Sequence, residues 1–225
     1  MISVIVPVLN EAETLPGQLA HLCSLHGLCE ILVVDGGSSD GTQEIVRANE
    51  KAELIEAPRG RGSQIQAGAE AASGEIFLIV HADAQLPGDS LRLIADAVAE
   101  GARWGWFDIR YEGSHPWLWL VPRYLNAHAW LLGEPTGENA MWATREAWDE
   151  AGGCPQIPLM EDLELARRLR GVDRGRRLPG PVVCSARRYE AWTPVGMSLR
   201  CTLLWALFHL GASPETLQRF YPEVR

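Results

Sequence analysis

The sequence is poor in basic residues and has no long apolar run without interruption. Its 20 Lys and Arg residues stand against 29 Asp and Glu residues, which gives a formal net charge of −9. Because a nucleic-acid surface must be basic, this balance argues against a nucleic-acid partner. The longest apolar region near the end, residues 199–210, is broken by Arg200 and His209. As a helix it would reach about 18 Å, short of the ~30 Å core of a bilayer, so we expect no transmembrane segment.

Cysteine is scarce, and the usual nucleotide-binding motifs are missing. The five cysteines are an odd number with no pair at metal-ligand spacing, as in the reduced thiols of a cytosolic protein. The N-terminus lacks the basic start of a signal peptide and runs straight into an apolar strand. Neither a Gly-x-Gly-x-x-Gly fingerprint nor a P-loop follows that strand, so a nucleotide would be held in another way.

Apolar runs alternate with helical patterns in the first half of the chain. The runs predict strands at positions 3–7, 30–34, 52–56 and 76–80. A helical pattern follows each run, and this alternation predicts a mostly parallel sheet with right-handed crossovers. At 225 residues the chain suits one α/β domain, its sheet flanked by helices, with a C-terminal helical extension.

The middle of the chain is less regular. Residues 114–132 are dense in Trp, Leu and His, and two prolines interrupt them too much for one long helix. We expect one or two shorter helices whose apolar face packs on the core or, alternatively, meets a membrane or a lipid tail. Residues 137–143 then predict a strand with polar groups at its entry, among them Glu138 and Asn139.

Acidic side chains stand at two predicted element ends. The buried run 76–80 ends in His81 and Asp83, and ligands of doubly wound sheets collect at the carboxyl ends of strands. Asp83 is therefore a candidate for holding a metal or a sugar, unless it only closes a turn or caps the next helix. A proline followed by Glu161 and Asp162 predicts a helix start, where the acids would stabilise the helix dipole whatever else they do.

A basic, glycine-rich loop at residues 58–63 precedes the third predicted helix. Its Arg61 stands between two glycines at the helix start, where backbone N–H groups and the helix dipole favour an anion. The alternative is a solvated arginine loop.

Four motifs in register resemble the family 2 glycosyltransferases with the A-type (GT-A) fold. They are Val-Pro-Val-Leu-Asn-Glu at 6–11, Asp-Gly-Gly-Ser-Ser-Asp-Gly-Thr at 35–42, His-Ala-Asp at 81–83 and Glu-Asp at 161–162. Shorter matches, among them Gly-Arg-Gly at 60–62 and Ser-Pro at 213–214, resemble a small bacterial subgroup, the selenodomain- or radical-SAM-associated transferase 2 proteins.

The resemblance implies a Rossmann-like GT-A domain that transfers a hexose with inversion. It divides the chain into a nucleotide-sugar-binding half at 1–112, an acceptor-binding half at 113–192 and a helical tail at 193–225. The implied donor is a UDP- or GDP-sugar, and the implied cofactor is Mn²⁺ or Mg²⁺. The acceptor is left open, with a lipid-linked acceptor and peripheral membrane contact as one option. The implied location is the cytoplasm, at the inner face of the membrane if the acceptor is lipid-linked.

The resemblance also assigns roles to single residues. Asp162 corresponds to the catalytic base, and Glu161 would orient it or contact the acceptor. Asp83 corresponds to the last acid of the metal motif and would bind an ion that holds the diphosphate, with His81 as a second ligand. The implied nucleotide contacts are Pro7, Asn10, Glu11, Asp35, Arg61 and Asp83.

Other assignments and two departures follow from the same resemblance. Arg188 is a candidate phosphate contact. His81 stands where the family has the first acid of the metal motif, and Gly36 replaces an acid that reads the nucleobase in many relatives, which leaves uridine specificity open. Core packing is the default for a tryptophan. The expected sugar or acceptor contacts are Trp106, Glu138, Asn139 and Trp142.

Two other functions fit parts of the pattern. A sugar nucleotidyltransferase uses a similar sheet, but carries a glycine-rich loop with Lys or Arg after its first strand, where this chain has Asn10 and Glu11. A non-catalytic scaffold that binds a nucleotide sugar or a membrane surface would explain the degraded metal motif at His81 and the apolar C-terminal stretch.

Overall fold

One sheet of eight strands runs through the molecule, with helices against both of its faces. The computed structural model describes residues 1–27, 29–113, 115–186 and 194–221. The strands are β1 Ile2–Val8, β2 Cys29–Asp35, β3 Ala52–Glu56, β4 Ile76–Ile79, β5 Ala84–Gln85, β6 Trp104–Tyr111, β7 Trp142–Thr144 and β8 Arg176–Cys184. The helices are α1 Leu15–Ser24, α2 Thr42–Arg47, α3 Arg61–Ala71, α4 Ser90–Ala99, α5 Pro116–Leu132, α6 Arg145–Glu150, α7 Glu161–Val172, α8 Pro194–His209 and α9 Pro214–Gln218. The predicted α/β fold with a C-terminal helical extension is confirmed.

The sheet is mixed, in the order β3-β2-β1-β4-β7-β6-β8-β5. The strands β3, β2, β1 and β4 pair in parallel, as the alternation in the sequence predicts. β7 pairs antiparallel with both β4 and β6, and β8 runs parallel to β6. Because β1, β2 and β4 run the same way, the loops that follow them open at one edge of the sheet, where ligands of such sheets bind.

Each face of the sheet has its own apolar core. Val4 and Val6 of β1 pack with Leu15 of α1 on one face, whereas Ile5 packs with Ile65 of α3 on the other. Alternate side chains of a strand point to opposite faces, so a run buried on both faces must be apolar throughout. Full burial of one such side chain contributes about 1.5–3 kcal/mol, and this fixes the register of β1 and therefore the position of the loop after it.

The tryptophan-rich stretch forms one helix, which corrects the expectation of an interrupted segment. α5 begins at Pro116, where a missing N–H breaks no helical hydrogen bond, and the His115 side chain caps it. Pro122 lies inside the helix and removes the donor for the Leu118 carbonyl. The buried side of α5 packs along β6, and we attribute the continuity of the helix to this packing.

The predicted strand at 137–143 is also corrected, because its first part is a 3-10 turn, Gly137–Asn139. Asn139 Oδ1 accepts from the Thr136 N–H (2.9 Å), and Asn139 Nδ2 donates to the Phe107 carbonyl (2.8 Å). These bonds satisfy buried backbone groups that a strand would have to pair with a neighbour. The short strand β7 begins only after the turn.

The C-terminal helices cover the start of α7. Leu204 of α8 and Leu217 of α9 form a third, smaller apolar cluster with residues at the entry of α7. These partners are Leu159, Met160 and Leu163. In the part of the chain that the structure describes, no helix has both the length and the apolar character needed to cross a membrane.

Gly105 of β6 lies against β8 and the Trp142 ring with no space for a side chain. A Cβ at this position would lie 2.0 Å from the Arg176 carbonyl oxygen and 2.8 Å from the Trp142 ring. We expect Gly105→Ala to lower the free energy of unfolding by about 1–3 kcal/mol, because neither the backbone nor the buried ring has room to move. Gly171→Ala is the control, since position 171 on α7 has open space and alanine favours a helix by about 0.5–1 kcal/mol. Urea unfolding measures both, and equal stability of the two variants would contradict the tight packing at Gly105.

Candidate active site

Two loops at the carboxyl edge of the sheet are joined by side-chain hydrogen bonds. The Asn10 N–H donates to Ser38 Oγ (2.8 Å), and Asn10 Oδ1 accepts from the Ser39 N–H (2.9 Å). The Glu11 N–H donates to Thr42 Oγ1 (2.9 Å). Asn10 has a left-handed backbone with φ of 55°, a conformation that asparagine adopts more readily than most residues. The two predicted nucleotide residues of the first loop therefore lie beside the second loop.

Asp35 organises the second loop from the end of β2. Its buried carboxylate accepts from the Gly37 N–H, from the Ser38 N–H and hydroxyl, and from Gln43 Nε2 (2.6 Å). Burial acts to raise the pKa of Asp35, but the hydrogen bonds from Ser38, Gln43 and Gly37 outweigh it and lower the pKa. Asp35 is thus an ionised anchor for the loop backbone, and its contact with a nucleotide stays a prediction.

Gln64 connects the ends of β1 and β2, and nothing in the sequence pattern singles it out. Its buried amide donates from Nε2 to the carbonyls of Val8 (2.7 Å) and Val34 (2.8 Å). A Cβ on Gly36 would lie 3.0 Å from the Gln64 amide. A side chain at position 36 would therefore require the Gln64 amide to shift by a few tenths of an ångström. Pro7, another predicted nucleotide residue, lies half-buried beside Val8.

Arg61 and Glu161 form an ion pair between α3 and α7. Arg61 Nε donates to Glu161 Oε1, and the two side chains are 32% and 2% exposed. Burial raises the pKa of Glu161, and the guanidinium of Arg61 acts against that rise. Glu161 therefore points into the protein, toward Arg61. Both expected roles of Glu161, orienting Asp162 or contacting the acceptor, stay predictions.

Asp162 lies in the first turn of α7, beside Gly137 and His81. Asp162 Oδ2 accepts from the Gly137 N–H (2.8 Å), and Oδ1 accepts from the Leu163 N–H (2.8 Å). A Cβ on Gly137 would lie 2.7 Å from His81 Nε2 and 3.5 Å from Asp162 Oδ2, so the imidazole and the carboxylate both lie next to this glycine. The structure thus brings the end of β4 to the start of α7. Acidic residues mark both element ends in the sequence, but nothing in the sequence indicates that Gly137 lies close to them.

A cavity opens beside Asp162, and most of its lining is apolar. Asp162, Arg61 and Glu138 are among its polar groups, and the Tyr111 hydroxyl donates to the Glu138 carboxylate. Apolar side chains come from α5, α8, the segment before α7 and the chain after α9. They include Leu125, Leu159, Met160, Leu204, Trp205 and Tyr221. The C-terminal helix α8 therefore forms one wall of the cavity, a position that the sequence does not reveal.

Three of the expected sugar or acceptor contacts lie inside the protein. Trp106 and Trp142 are 3% and 1% exposed and belong to the apolar cores, so neither ring offers a face to a ligand in this structure. Asn139 is fully buried and uses its amide in the 3-10 turn. Of the four expected contacts only Glu138 lines the cavity. Arg188, the candidate phosphate contact, lies outside the described residues.

The groups after β4 do not form a metal cage by themselves. His81 and Asp83 are both half-buried there. Within residues 1–27, 29–113, 115–186 and 194–221, no three His, Cys, Asp or Glu side chains gather around a common point. The Asp83 carboxylate suits Mn²⁺ or Mg²⁺, and the His81 imidazole could ligate Mn²⁺ although it prefers softer ions; such an ion would take its other ligands from phosphate and water. The pair therefore fits an ion that binds together with a diphosphate.

Comparison with known protein families gives a match over two thirds of the chain. The sequence model of glycosyl transferase family 2 matches residues 3–153, whereas Asp162 and the C-terminal helices lie beyond the match. The undecaprenyl-phosphate 4-deoxy-4-formamido-L-arabinose transferase of Aeromonas hydrophila is 30% identical over 112 residues, 45% of this chain and 34% of that protein. The protein of the same name from Salmonella choleraesuis is 35% identical over 108 residues, 43% of this chain and 33% of that protein. The chain thus spans about a third of the length of these curated relatives.

Solved structures of low sequence identity share the fold. The chain superposes on S. aureus TarS 1–349 with a TM-score of 0.67 and 17% identity, over 82% of this chain and 60% of that chain. It superposes on the mannosyltransferase PcManGT of Pyrobaculum calidifontis, in complex with GDP-Man and Mn²⁺, with a TM-score of 0.65 and 22% identity, over 97% of this chain and 67% of that chain. These similarities confirm the predicted GT-A fold.

Removing one member of the Arg61–Glu161 pair should destabilise the protein in a pH-dependent way. In Arg61→Met the Glu161 carboxylate stays buried without its cation, which costs about 3–5 kcal/mol of unfolding free energy near neutral pH. The folded-state pKa of Glu161 is raised, so folding takes up a proton at intermediate pH and stability falls as the pH rises. We therefore expect the loss of unfolding free energy, relative to the unsubstituted protein, to be smaller at about pH 5 than at about pH 8. Urea denaturation at the two pH values measures it.

The double variant Arg61→Met/Glu161→Leu is the control. It leaves no buried charge, so it should recover most of the lost stability and show none of the added pH dependence. The same loss in the single and the double variant would contradict the role given to the Glu161 charge.

Proposed function

The chain belongs to glycosyl transferase family 2, and from this premise we propose that it transfers a sugar, with inversion, from a nucleotide-diphosphate donor to a hydroxyl acceptor. The observation that carries the proposal is the Asp162 carboxylate, held by the Gly137 N–H beside a cavity at the carboxyl edge of the sheet. We infer a UDP- or GDP-hexose as donor. The complexes of TarS with UDP-GlcNAc and of PcManGT with GDP-Man support this class.

We assign donor binding to residues 1–112, acceptor binding to 113–192 and a covering role to the tail at 193–225. The nucleotide would lie on the joined loops after β1 and β2, against Pro7, Asn10 and Glu11. Asp35 would keep these loops in place through the four hydrogen bonds that its carboxylate accepts. The motifs at 60–62 and 213–214 support membership of the selenodomain- or radical-SAM-associated transferase 2 subgroup.

The diphosphate would be held at the end of β4. Arg61 lines the cavity, so its charge can meet phosphate oxygens while its Nε stays paired with Glu161. Asp83, with His81, would hold a Mn²⁺ or Mg²⁺ ion that offsets the negative charge of the leaving nucleotide. Because the chain supplies few ligands of its own, ion and nucleotide should bind together.

Asp162 would act as the general base. As the acceptor oxygen forms its bond to the anomeric carbon, Asp162 takes the hydroxyl proton and the bond from that carbon to the phosphate oxygen breaks with its electron pair. Attack opposite the leaving group inverts the anomeric configuration. The N–H groups of Gly137 and Leu163 hold the two oxygens, each of which keeps lone-pair capacity for the incoming proton.

We further propose a lipid-linked acceptor and a cytoplasmic location at the inner face of the membrane. The apolar lining of the cavity beside Asp162 supports an acceptor with an apolar part. The curated relatives named above are undecaprenyl-phosphate sugar transferases, which supports the same choice.

Replacing the proposed base should abolish turnover and leave donor binding intact. Asp162→Asn keeps the size of the side chain and an acceptor for the Gly137 N–H, but cannot take the proton, so we expect a loss of at least about 100-fold in rate. Nucleotide release from UDP- and GDP-sugars with a bacterial lipid extract measures turnover, and calorimetry measures nucleotide binding. Glu164→Gln, in the same helical turn but paired with Arg167 and Arg168, is the matched control and should keep full activity. Unchanged turnover in Asp162→Asn would remove the residue from this role.

The metal proposal predicts a nucleotide affinity that depends on the ion. With Mn²⁺ present, UDP or GDP should bind at least about tenfold more tightly than with a chelator, and Asp83→Asn should erase this difference. An affinity that is the same with and without Mn²⁺ would rule out the ion. A scaffold protein would show no turnover, and a sugar nucleotidyltransferase would instead release pyrophosphate from a nucleoside triphosphate and a sugar phosphate.

A further inference from the structure

The exposed large hydrophobic side chains are concentrated on one part of the surface. Among the described residues twelve such side chains are exposed, and eleven of them lie on α5 or on the chain from α8 onward. The other is Met1. Single exposed hydrophobic residues are ordinary, but a cluster of this size on a water-soluble surface marks a site of interaction.

The two helices lie side by side, so their exposed residues form one surface. Trp117 Nε1 of α5 donates to Ser198 Oγ of α8 (3.2 Å), and the His128 ring packs on Trp205 with 4.4 Å between centroids. Tyr124, itself exposed, lies beside the same histidine ring at 6.4 Å. The two contacts between the helices, Trp117 with Ser198 and His128 with Trp205, follow the same order along both helices. The helices are therefore roughly parallel neighbours.

The spacing of the exposed residues confirms a common orientation. On α8 and just after its end, exposed leucines recur at intervals that return to the same side of a helix. They are Leu199, Leu203 and Leu210, which are 66%, 59% and 84% exposed. Leu120 and Leu131 of α5 do the same, at 45% and 69% exposed. We define the α5–α8 face by these exposed side chains, Leu120, Tyr124, Leu131, Leu199, Leu203 and Leu210.

The two helices that form this face differ in charge from the rest of the chain. The protein has 29 acidic residues and a net charge of −9, yet neither α5 nor α8 contains an Asp or a Glu. Each helix carries an arginine, Arg123 on α5 and Arg200 on α8. Arg123 lies over the Trp119 ring at 3.4 Å, a pairing of cation and aromatic ring that suits the headgroup region of a bilayer.

From the apolar cluster and this charge segregation, we propose that the α5–α8 face binds the surface of a bilayer that contains anionic phospholipids. The leucines and the tyrosine enter the boundary between headgroups and acyl chains, and the arginines approach the lipid phosphates. The acidic remainder of the protein is repelled from the same surface, so the charge distribution also sets the orientation.

The proposal deepens the proposed function, on which its consequence for the acceptor rests. Leu204 and Trp205 of α8 and Leu125 of α5 line the cavity beside Asp162. A membrane bound to the outer side of the same two helices would place the cavity next to the lipid surface. A lipid-linked acceptor would then reach the carboxylate without leaving the bilayer.

Vesicle flotation of the full chain tests the surface without any substrate. The probe is vesicles of phosphatidylcholine with about 30% phosphatidylglycerol, compared with phosphatidylcholine alone, at about 0.15 M salt. We expect binding to the anionic vesicles that is lost by at least about tenfold in Leu199→Glu/Leu203→Glu and in Leu131→Glu. Because all three side chains are exposed, the variants should fold, and unchanged circular dichroism and thermal unfolding check this.

The matched control adds the same charges elsewhere. Ala95→Glu/Ala99→Glu places two acids on the exposed side of α4, and vesicle binding should stay as in the unsubstituted protein. No binding to anionic vesicles, equal binding to neutral ones, or equal loss in the α4 control would each overturn the proposal. Sedimentation showing a dimer that Leu199→Glu/Leu203→Glu converts to a monomer, without vesicle binding, would assign the face to a second copy instead. Since flotation uses no nucleotide sugar, its failure is separate from a failure of transferase activity.

Discussion

The ion pair between Arg61 and Glu161 fixes the start of α7 against α3, and the position of Asp162 depends on it. It joins the first residue of α3 to the first residue of α7, two helices that belong to different halves of the chain. Glu161 has no other way to be buried at low cost, because an isolated carboxylate in the interior must lose its charge. Once Glu161 is held inward, the next residue of the helix must point elsewhere, and Asp162 faces Gly137 and the cavity.

The parallel half of the sheet supplies the other side of the site. Its strands β2, β1 and β4 end at one edge, and the segments after β1 and β2 are hydrogen-bonded to each other. Asp35 and Gln64 hold the backbone of this edge, so the loops are shaped before any ligand arrives. Preorganisation of this kind lowers the entropy lost when a ligand binds.

Much of the fold and part of the site could be predicted from the sequence. Buried residues recur along a strand or helix with the period of that element. Continuous apolar runs therefore predict the buried strands, and the spacing of Leu15 and Leu19 predicts a helix. The start of α7 at Glu161 was predictable for the same reason, since caps and first-turn acids are local signals. The positions of Asp83 and Asp162 at element ends follow from such signals together with the family motifs.

The remainder depends on contacts between distant parts of the chain. Two tryptophans expected at a ligand, Trp106 and Trp142, are core residues. The sequence does not distinguish the two roles, because a large apolar ring in a strand can either pack in the core or contact a ligand. Gln64, Gly137 and Tyr111 act through partners far away in sequence, and α5 continues through Pro122 where packing along β6 outweighs a lost hydrogen bond. Gly36 and Gln64 have a consequence of another kind. Because the amide lies next to the glycine, an acid at position 36 would have to displace the Gln64 side chain, so the effects of substitutions at positions 36 and 64 should not be additive.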